Sequence, residues 1–201
     1  LGEFPAAALA EEIDTPSDDG TRIRGLVVVA GNPVVSTPEG PRLAEALKTL
    51  DVMVCVDAYL TETSRHADVV LPAPSPLARG HYDVVFANLA VRDVARWSPP
   101  TLPLATAADS PAGDERDEAD VLLALAAIAV GDVVTPDQVD DLVLAEVVRR
   151  AVSDPTSRAH GLEAADVTAA VAGRRRVARI LDVMLRSGPY GDGFGRFPGG
   201  L

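Results

Sequence analysis

The hydrophobic pattern of the first third of the chain predicts alternating strands and helices. Two short runs, residues 26–30 (LVVVA) and 52–56 (VMVCV), are apolar at every position, and each leads into a loop of polar residues. Such runs are typical of parallel strands that are covered on both faces. Between them Leu43, Leu47 and Leu50 recur at helical spacing. The pattern therefore predicts a strand, a helix and a second strand.

The remainder of the chain predicts one more strand of this sheet and then mostly helix. The third strand is expected at residues 68–71. It ends there because the prolines that follow cannot donate hydrogen bonds to a ladder. A further strand is predicted near residues 89–94, and a surface connection rich in Pro, Ala and Asp at 99–117. Helices are predicted at residues 118–129, at 136–152 behind a Thr135 cap, at 162–171 and at 174–185.

These elements together predict an α/β fold with a doubly wound, Rossmann-like parallel sheet and a helical C-terminal portion. We expect residues 1–131 to form the α/β domain and residues 132–201 to form a helical extension with a connector. Six glycines lie between Gly188 and Gly200. This composition is typical of a mobile connector, with a phosphate-binding nest as the alternative.

Polar residues follow the first two predicted strands, where ligands of parallel sheets bind. Gly31 is expected to adopt a backbone conformation closed to other residues and to approach a ligand closely. Asn32 offers both a donor and an acceptor. The next helix is expected to point free N–H groups at a phosphate. Asp57, with Thr61 and Thr63 nearby, is placed to accept hydrogen bonds from a ribose or a base. The alternatives are an empty tight turn and a turn-capping Asp57.

Composition excludes several classes of function. A balance of 18 Lys+Arg against 30 Asp+Glu gives a net charge of −12, which opposes nucleic acid binding. No apolar segment reaches the roughly 18 residues of a membrane span. The single cysteine, Cys55, lies in a predicted buried strand and fits an inert core residue. We therefore expect a cytoplasmic protein with neither a metal site nor a catalytic residue in this chain.

A series of linked motifs resembles a known family. It consists of Gly31-Asn32-Pro33, then Asp57 with Thr61 and Thr63, then residues 67–72 (ADVVLP). Over residues 26–76 their order and spacing resemble the third domain of the molybdopterin oxidoreductases, which include formate dehydrogenases, nitrate reductases and dimethyl sulfoxide reductases. Because Leu1 is not an initiator, we also expect an internal piece of a longer polypeptide of the formate dehydrogenase branch.

The resemblance implies a cofactor and residues that bind it. The cofactor is bis(molybdopterin guanine dinucleotide) molybdenum, and this domain would bind one guanosine diphosphate arm. By position, Asn32 would meet the nucleotide portion, Asp57 the guanosine, and Arg79 and Asp117 further parts of the arm. Arg42 and Arg79 are candidate donors to the diphosphate. The resemblance also implies a 4Fe-4S cluster elsewhere in the parent, and as partners the remaining domains and a small-molecule redox substrate. The isolated chain would be inactive.

The sequence departs from the family pattern at two places. Ala78 stands where a Glu is common, and His81-Tyr82 stand where Gly-Thr is common. These departures favour an alternative, a nucleotide-binding or subunit-interaction module that has lost the cofactor. A third option is an enzyme of another doubly wound class, which would need perturbed titratable groups at the ends of the strands.

Overall fold

The chain folds into two compact units. The computed structural model describes residues 4–83, 89, 91–92, 97–106, 116–131 and 133–200. The units are Leu1–Ser75 and Pro76–Leu201. Of the strand predicted near residues 89–94, residues 90, 93 and 94 lie outside the described residues, and residues 89, 91 and 92 form a turn and bends. The domain boundary predicted between residues 131 and 132 stays a prediction.

A three-stranded parallel sheet forms the centre of the N-terminal unit. Its strands are β1 (Gly25–Val29), β2 (Val52–Val56) and β3 (Val69–Leu71), in the order β1-β2-β3. The register pairs Val29 with Val56, and Val56 with Leu71. All three strands therefore end together at one edge of the sheet. The predicted α/β character and the parallel pairing are confirmed.

Helices pack on one face of this sheet. They are α1 (Leu9–Asp14), which follows a 3-10 turn at Ala6–Ala8, then α2 (Pro33–Ser36) and α3 (Gly40–Leu47). Ile13 of α1 and Leu43 and Leu47 of α3 join Met53 and Cys55 of β2 in one buried core. Burial raises the pKa of the Cys55 thiol, so this cysteine has the inert core environment expected from the sequence.

The opposite face of the sheet remains partly open. Val27, Val29, Val52 and Val69 point away from the core and are 41% to 49% exposed. The sequence predicted coverage on both faces, because the strands are apolar at every position. In the described N-terminal unit α1 and α3 lie on the core face, and the doubly wound arrangement stays a prediction.

The C-terminal unit is mostly helical. It contains an antiparallel pair, β4 (His81–Tyr82) with β5 (Trp97–Ser98), and the helices α4 (Glu118–Ala129), α5 (Pro136–Ser153), α6 (Ala164–Ala170) and α7 (Val177–Ser187). Thr135 and Gln138 form a reciprocal capping box at the start of α5. Helix α7 begins three residues later than predicted, because Arg176 takes a φ of 53° that no helix accepts.

The core of this unit lies between α5, α6 and α7. Leu144 and Val148 of α5 pack against Val167 of α6 and Val183 of α7. One charged group is buried beside this core: the carboxylate of Asp140 on α5 accepts a hydrogen bond from Arg179 Nη2 at 2.6 Å. A buried charge requires such a partner.

The glycine-rich end is folded against the helices. The Asp192 carboxylate accepts hydrogen bonds from Arg186 Nε at 2.8 Å, Arg186 Nη2 at 3.0 Å and Phe194 N at 2.9 Å. The guanidinium groups of Arg186 and Arg158 lie over the rings of Phe194 and Phe197. These contacts join the glycine-rich end to α7 and to Arg158, and the expectation of a mobile connector stays a prediction.

Asp192→Asn is expected to destabilise the C-terminal unit by about 1 kcal/mol at pH 7, because it removes a charged hydrogen bond. The Arg186 guanidinium holds the pKa of the Asp192 carboxyl below its usual value. The contribution of the ionised Asp192 carboxylate to stability is therefore complete above the pKa of about 4 in the unfolded chain. It is lost as the pH falls through the lower pKa of the folded protein. Urea unfolding of both proteins checks this. A difference that stays constant from pH 7 to pH 2 would contradict it.

Gly40→Ala is expected to destabilise the N-terminal unit by about 1–3 kcal/mol. A methyl group on the buried Gly40 would overlap the carbonyl oxygen of Val34, and a backbone atom cannot rotate away. Gly31→Ala is the matched control, since its methyl group would meet Val28 Cγ1 at an ordinary 3.6 Å. Chemical denaturation measures both variants. Equal losses of unfolding free energy in the two variants would show that the close contact between Gly40 and Val34 does not constrain the unit.

Candidate functional site at the carboxyl edge of the sheet

The ends of β1 and β2 bring two predicted site residues to one edge. Ala30 N donates to the carbonyl oxygen of Val56 at 2.9 Å and extends the β1–β2 ladder by one residue. Asp57 N donates to Leu71 O at 3.1 Å and extends the β2–β3 ladder. Asn32 and Asp57 therefore emerge from neighbouring strands on the same side of the sheet, as the parallel pattern predicted.

A buried threonine joins the two loops that follow these strands. Asn32 Oδ1 accepts hydrogen bonds from Thr63 Oγ1 at 2.8 Å and from Thr63 N at 3.2 Å. The Thr63 hydroxyl in turn accepts from Val34 N at 3.0 Å. Thr63 is fully buried, so the geometry gives its side chain a supporting role. A direct contact between Thr63 and a ligand stays a prediction.

Asp57 organises the loop after β2. Its Oδ1 accepts a hydrogen bond from Tyr59 N at 3.0 Å, which is the turn-capping contact that the sequence offered as an alternative. A carboxylate has about four acceptor sites, so one such bond leaves capacity for a ligand. Thr61 and Ser64 close the same loop, because Ser64 N donates to Thr61 Oγ1 and Thr61 N donates to Ser64 Oγ. Tyr59 itself is 77% exposed.

The turn after β1 differs from the expectation in its backbone. The residue in the left-handed region is Ala30, with φ 49°, and Gly31 is not among the residues with positive φ. The special conformation predicted for Gly31 is therefore wrong. Pro33 occupies the first position of α2, where its fixed φ suits a helix and its missing N–H costs nothing.

The helix that the sequence predicted to face a phosphate is α3, and a shorter helix, α2, precedes it in the chain. The phosphate contact of α3 stays a prediction. Helix α2 has only four residues, and Pro33 has no N–H to offer. Val34 N donates to Thr63 Oγ1, while Val35 N and Ser36 N both donate to Asn32 O. The first-turn amides of α2 are thus already satisfied within the fold, a fact that the sequence pattern could not reveal.

The basic residues near the site are unequally available. Arg42 is bound by Asp14 at 3.2 Å and by Glu39 at 3.3 Å. Arg65, in the 3-10 turn Ser64–His66, is exposed and makes no ion pair with any residue that the structure describes. Of these two, Arg65 is the better candidate to meet an anion.

Besides Arg65, two more residues at this edge were not predicted from the sequence. Glu62 Oε2 accepts a hydrogen bond from Asn32 Nδ2 at 2.7 Å. This hydrogen bond is the main cause that lowers the pKa of the Glu62 carboxyl below its usual value. Tyr59 presents an exposed ring beside Asp57. Their signal was their place in the loop of residues 57–66, between residues that had already been singled out.

The other two predicted site residues lie in the C-terminal unit. Arg79 forms an ion pair with Glu118, the first residue of α4. Asp117 caps the same helix, since its Oδ1 accepts from Ala119 N at 2.8 Å. Arg79 and Asp117 are therefore brought together at the start of α4. Their contacts with a cofactor stay predictions.

The described part of the chain holds no group of three or more His, Cys, Asp or Glu side chains that could bind a metal ion. Within the same residues, every helix is too short or too polar to cross a bilayer. A cytoplasmic location stays a prediction.

Comparison with known proteins finds similarity in the N-terminal unit. Residues 1–76 match the family model described as molybdopterin oxidoreductase. This match supports a similarity between the N-terminal unit and the molybdopterin oxidoreductases. The matched residues contain β1, β2, β3 and the whole carboxyl edge. No solved structure matches the chain.

Three curated relatives carry the same resemblance. The F420-dependent formate dehydrogenase subunit alpha of Methanocaldococcus jannaschii is 46% identical over 56 residues, which are 28% of this chain and 8% of that protein. The assimilatory nitrate reductase catalytic subunit of Bacillus subtilis is 35% identical over 91 residues, 45% of this chain and 13% of that protein. The dimethyl sulfoxide/trimethylamine N-oxide reductase of Rhodobacter capsulatus is 29% identical over 91 residues, an alignment that covers 41% of this chain and 11% of that protein. The alignments thus span about a tenth of these relatives.

Thr63→Val is expected to destabilise the N-terminal unit by about 1–3 kcal/mol, because it leaves Val34 N without its buried partner. Thr63→Ser keeps the hydroxyl and is expected to lose much less. Urea unfolding of the three proteins measures the difference. If Thr63→Val and Thr63→Ser lower the free energy of unfolding equally, the hydroxyl does not connect the two loops.

Proposed function

We propose that this chain is part of a molybdenum-dependent oxidoreductase similar to the formate dehydrogenase branch. In it, the N-terminal unit binds the guanosine diphosphate arm of a molybdopterin guanine dinucleotide. The observation that carries the proposal is the meeting of Asn32 and Asp57 at the carboxyl edge of two parallel strands. The family match over residues 1–76 supports the same cofactor class.

The residues at this edge fit a nucleoside. The half-buried Asp57 supplies an acceptor for base N–H groups or ribose hydroxyls, and the exposed Tyr59 ring offers an apolar surface for a base. Arg65 lies in the same loop and would meet the diphosphate. These groups act at contact distance, so the net charge of −12, screened beyond roughly 8 Å, does not oppose binding.

The cofactor would carry out the redox chemistry, and the protein would orient the cofactor. When bound, the molybdenum centre supplies two-electron transfer to a small-molecule redox substrate. This chain would hold the distal end of the cofactor and would not contact the reacting atoms. We therefore propose that the isolated chain is inactive and that the iron-sulfur cluster and the substrate site belong to other domains of the parent.

Asp57→Asn is expected to weaken the binding of GDP to the full chain by roughly 10- to 100-fold, because an amide is a weaker acceptor than a charged carboxylate. Isothermal titration calorimetry with GDP, and with ADP for comparison, measures the effect. Asp18→Asn makes the same chemical change in an exposed loop of the same unit and is expected to bind like the wild type.

Purification of the parent polypeptide from a molybdate-supplied host separates the proposal from its rival. Molybdenum together with guanine nucleotide is the expected content. GDP binding without any molybdenum would favour a nucleotide-binding module that has lost the cofactor. The absence of both, with no measurable GDP affinity, would overturn the proposed function.

A further inference from the structure

The amide of Asn32 has only one orientation that satisfies its neighbours. Its Oδ1 faces two donors of Thr63, and its Nδ2 faces the Glu62 carboxylate. A flipped amide would place N–H groups against the Thr63 amide and oxygen against a carboxylate. The hydrogen-bond network therefore fixes which part of Asn32 remains for a ligand.

What remains is one hydrogen of the Nδ2 group. Two bonds from Thr63 occupy Oδ1, and Glu62 takes one of the two Nδ2 hydrogens. The exposed Glu62 carboxylate adds acceptor sites beside it. At neutral pH this carboxylate is ionised, since its pKa lies below the usual value. Together the two side chains offer a single donor and several acceptors.

Such a pair does not suit a phosphate. An ionised carboxylate repels an anion at contact distance. The amides of α2 cannot compensate, because Val34, Val35 and Ser36 donate within the fold. The group that fits is uncharged and rich in hydrogen-bond donors, as are the hydroxyls of a ribose and the N–H edge of a purine.

We propose that Glu62 is a positioning residue for Asn32, and that the Asn32–Glu62 pair binds the nucleoside part of the ligand and excludes its phosphates. This inference rests on the proposed function and adds to it the part of the nucleotide that meets Asn32. Asp57 then shares the nucleoside with the pair, and the phosphates lie on the Arg65 side of the loop.

Titration of the full chain with guanosine and with GDP tests the proposal. Glu62→Gln is expected to weaken both ligands by the same factor, about five- to tenfold, because the lost acceptor serves the part that they share. Glu45→Gln is the matched control. Glu45 is an exposed glutamate of α3, hydrogen-bonded to Lys48, and its variant is expected to bind both ligands normally.

The alternative outcomes are distinct. If Glu62→Gln strengthened GDP binding and left guanosine unchanged, the pair would face the phosphates and the inference would be overturned. Unchanged affinity for both ligands would also overturn it while leaving the proposed function intact. A wild-type chain that binds neither ligand would instead count against the proposed function.

A ligand-free measurement tests the positioning role separately. The Asn32 side-chain amide signals in an NMR spectrum are expected to shift as Glu62 is protonated, at a pH below that of an ordinary glutamate. Arg65 is the charged group that also acts on this carboxyl, and it lowers the pKa in the same direction. Glu62→Gln is expected to abolish the shift. Asn32 side-chain amide signals that do not shift with pH in the wild type would contradict the positioning role.

Discussion

The parallel pairing of β1 with β2 is the constraint on which the candidate site depends. Because Val29 pairs with Val56, the chain leaves both strands at the same level and on the same side. The loops that follow are then joined by the Asn32–Thr63 hydrogen bonds. A shift of this register would separate Asn32 from Asp57. The hydrophobic core on α1 and α3 stabilises the register, since it buries Met53 and Cys55 on one face.

Much of this architecture could be predicted from periodicity. The bounds predicted for β2 and α4 match the structure, and the Thr135 cap was correctly located. These features depend on residues close in sequence, for which local patterns are sufficient. The common edge of β1 and β2 followed from their apolar composition, which favours parallel pairing.

The features that sequence could not supply depend on distant partners. The bond between Asn32 and Glu62 joins residues thirty positions apart, and no local pattern indicates it. The same holds for the amide of Val34, which donates to the Thr63 hydroxyl. The exposed valines of the sheet are a second example. An apolar strand indicates that a sheet face can be buried, but the rest of the fold decides whether another element covers it.

The proposed function requires that a guanine nucleotide bind at the carboxyl edge of the sheet. A map of backbone amide chemical shifts in the full chain, recorded with and without GDP, tests it most directly. We expect the largest changes in the loops after β1 and β2, around Asn32 and from Asp57 to Arg65. Changes confined to residues away from these loops, or no change at saturating GDP, would contradict it.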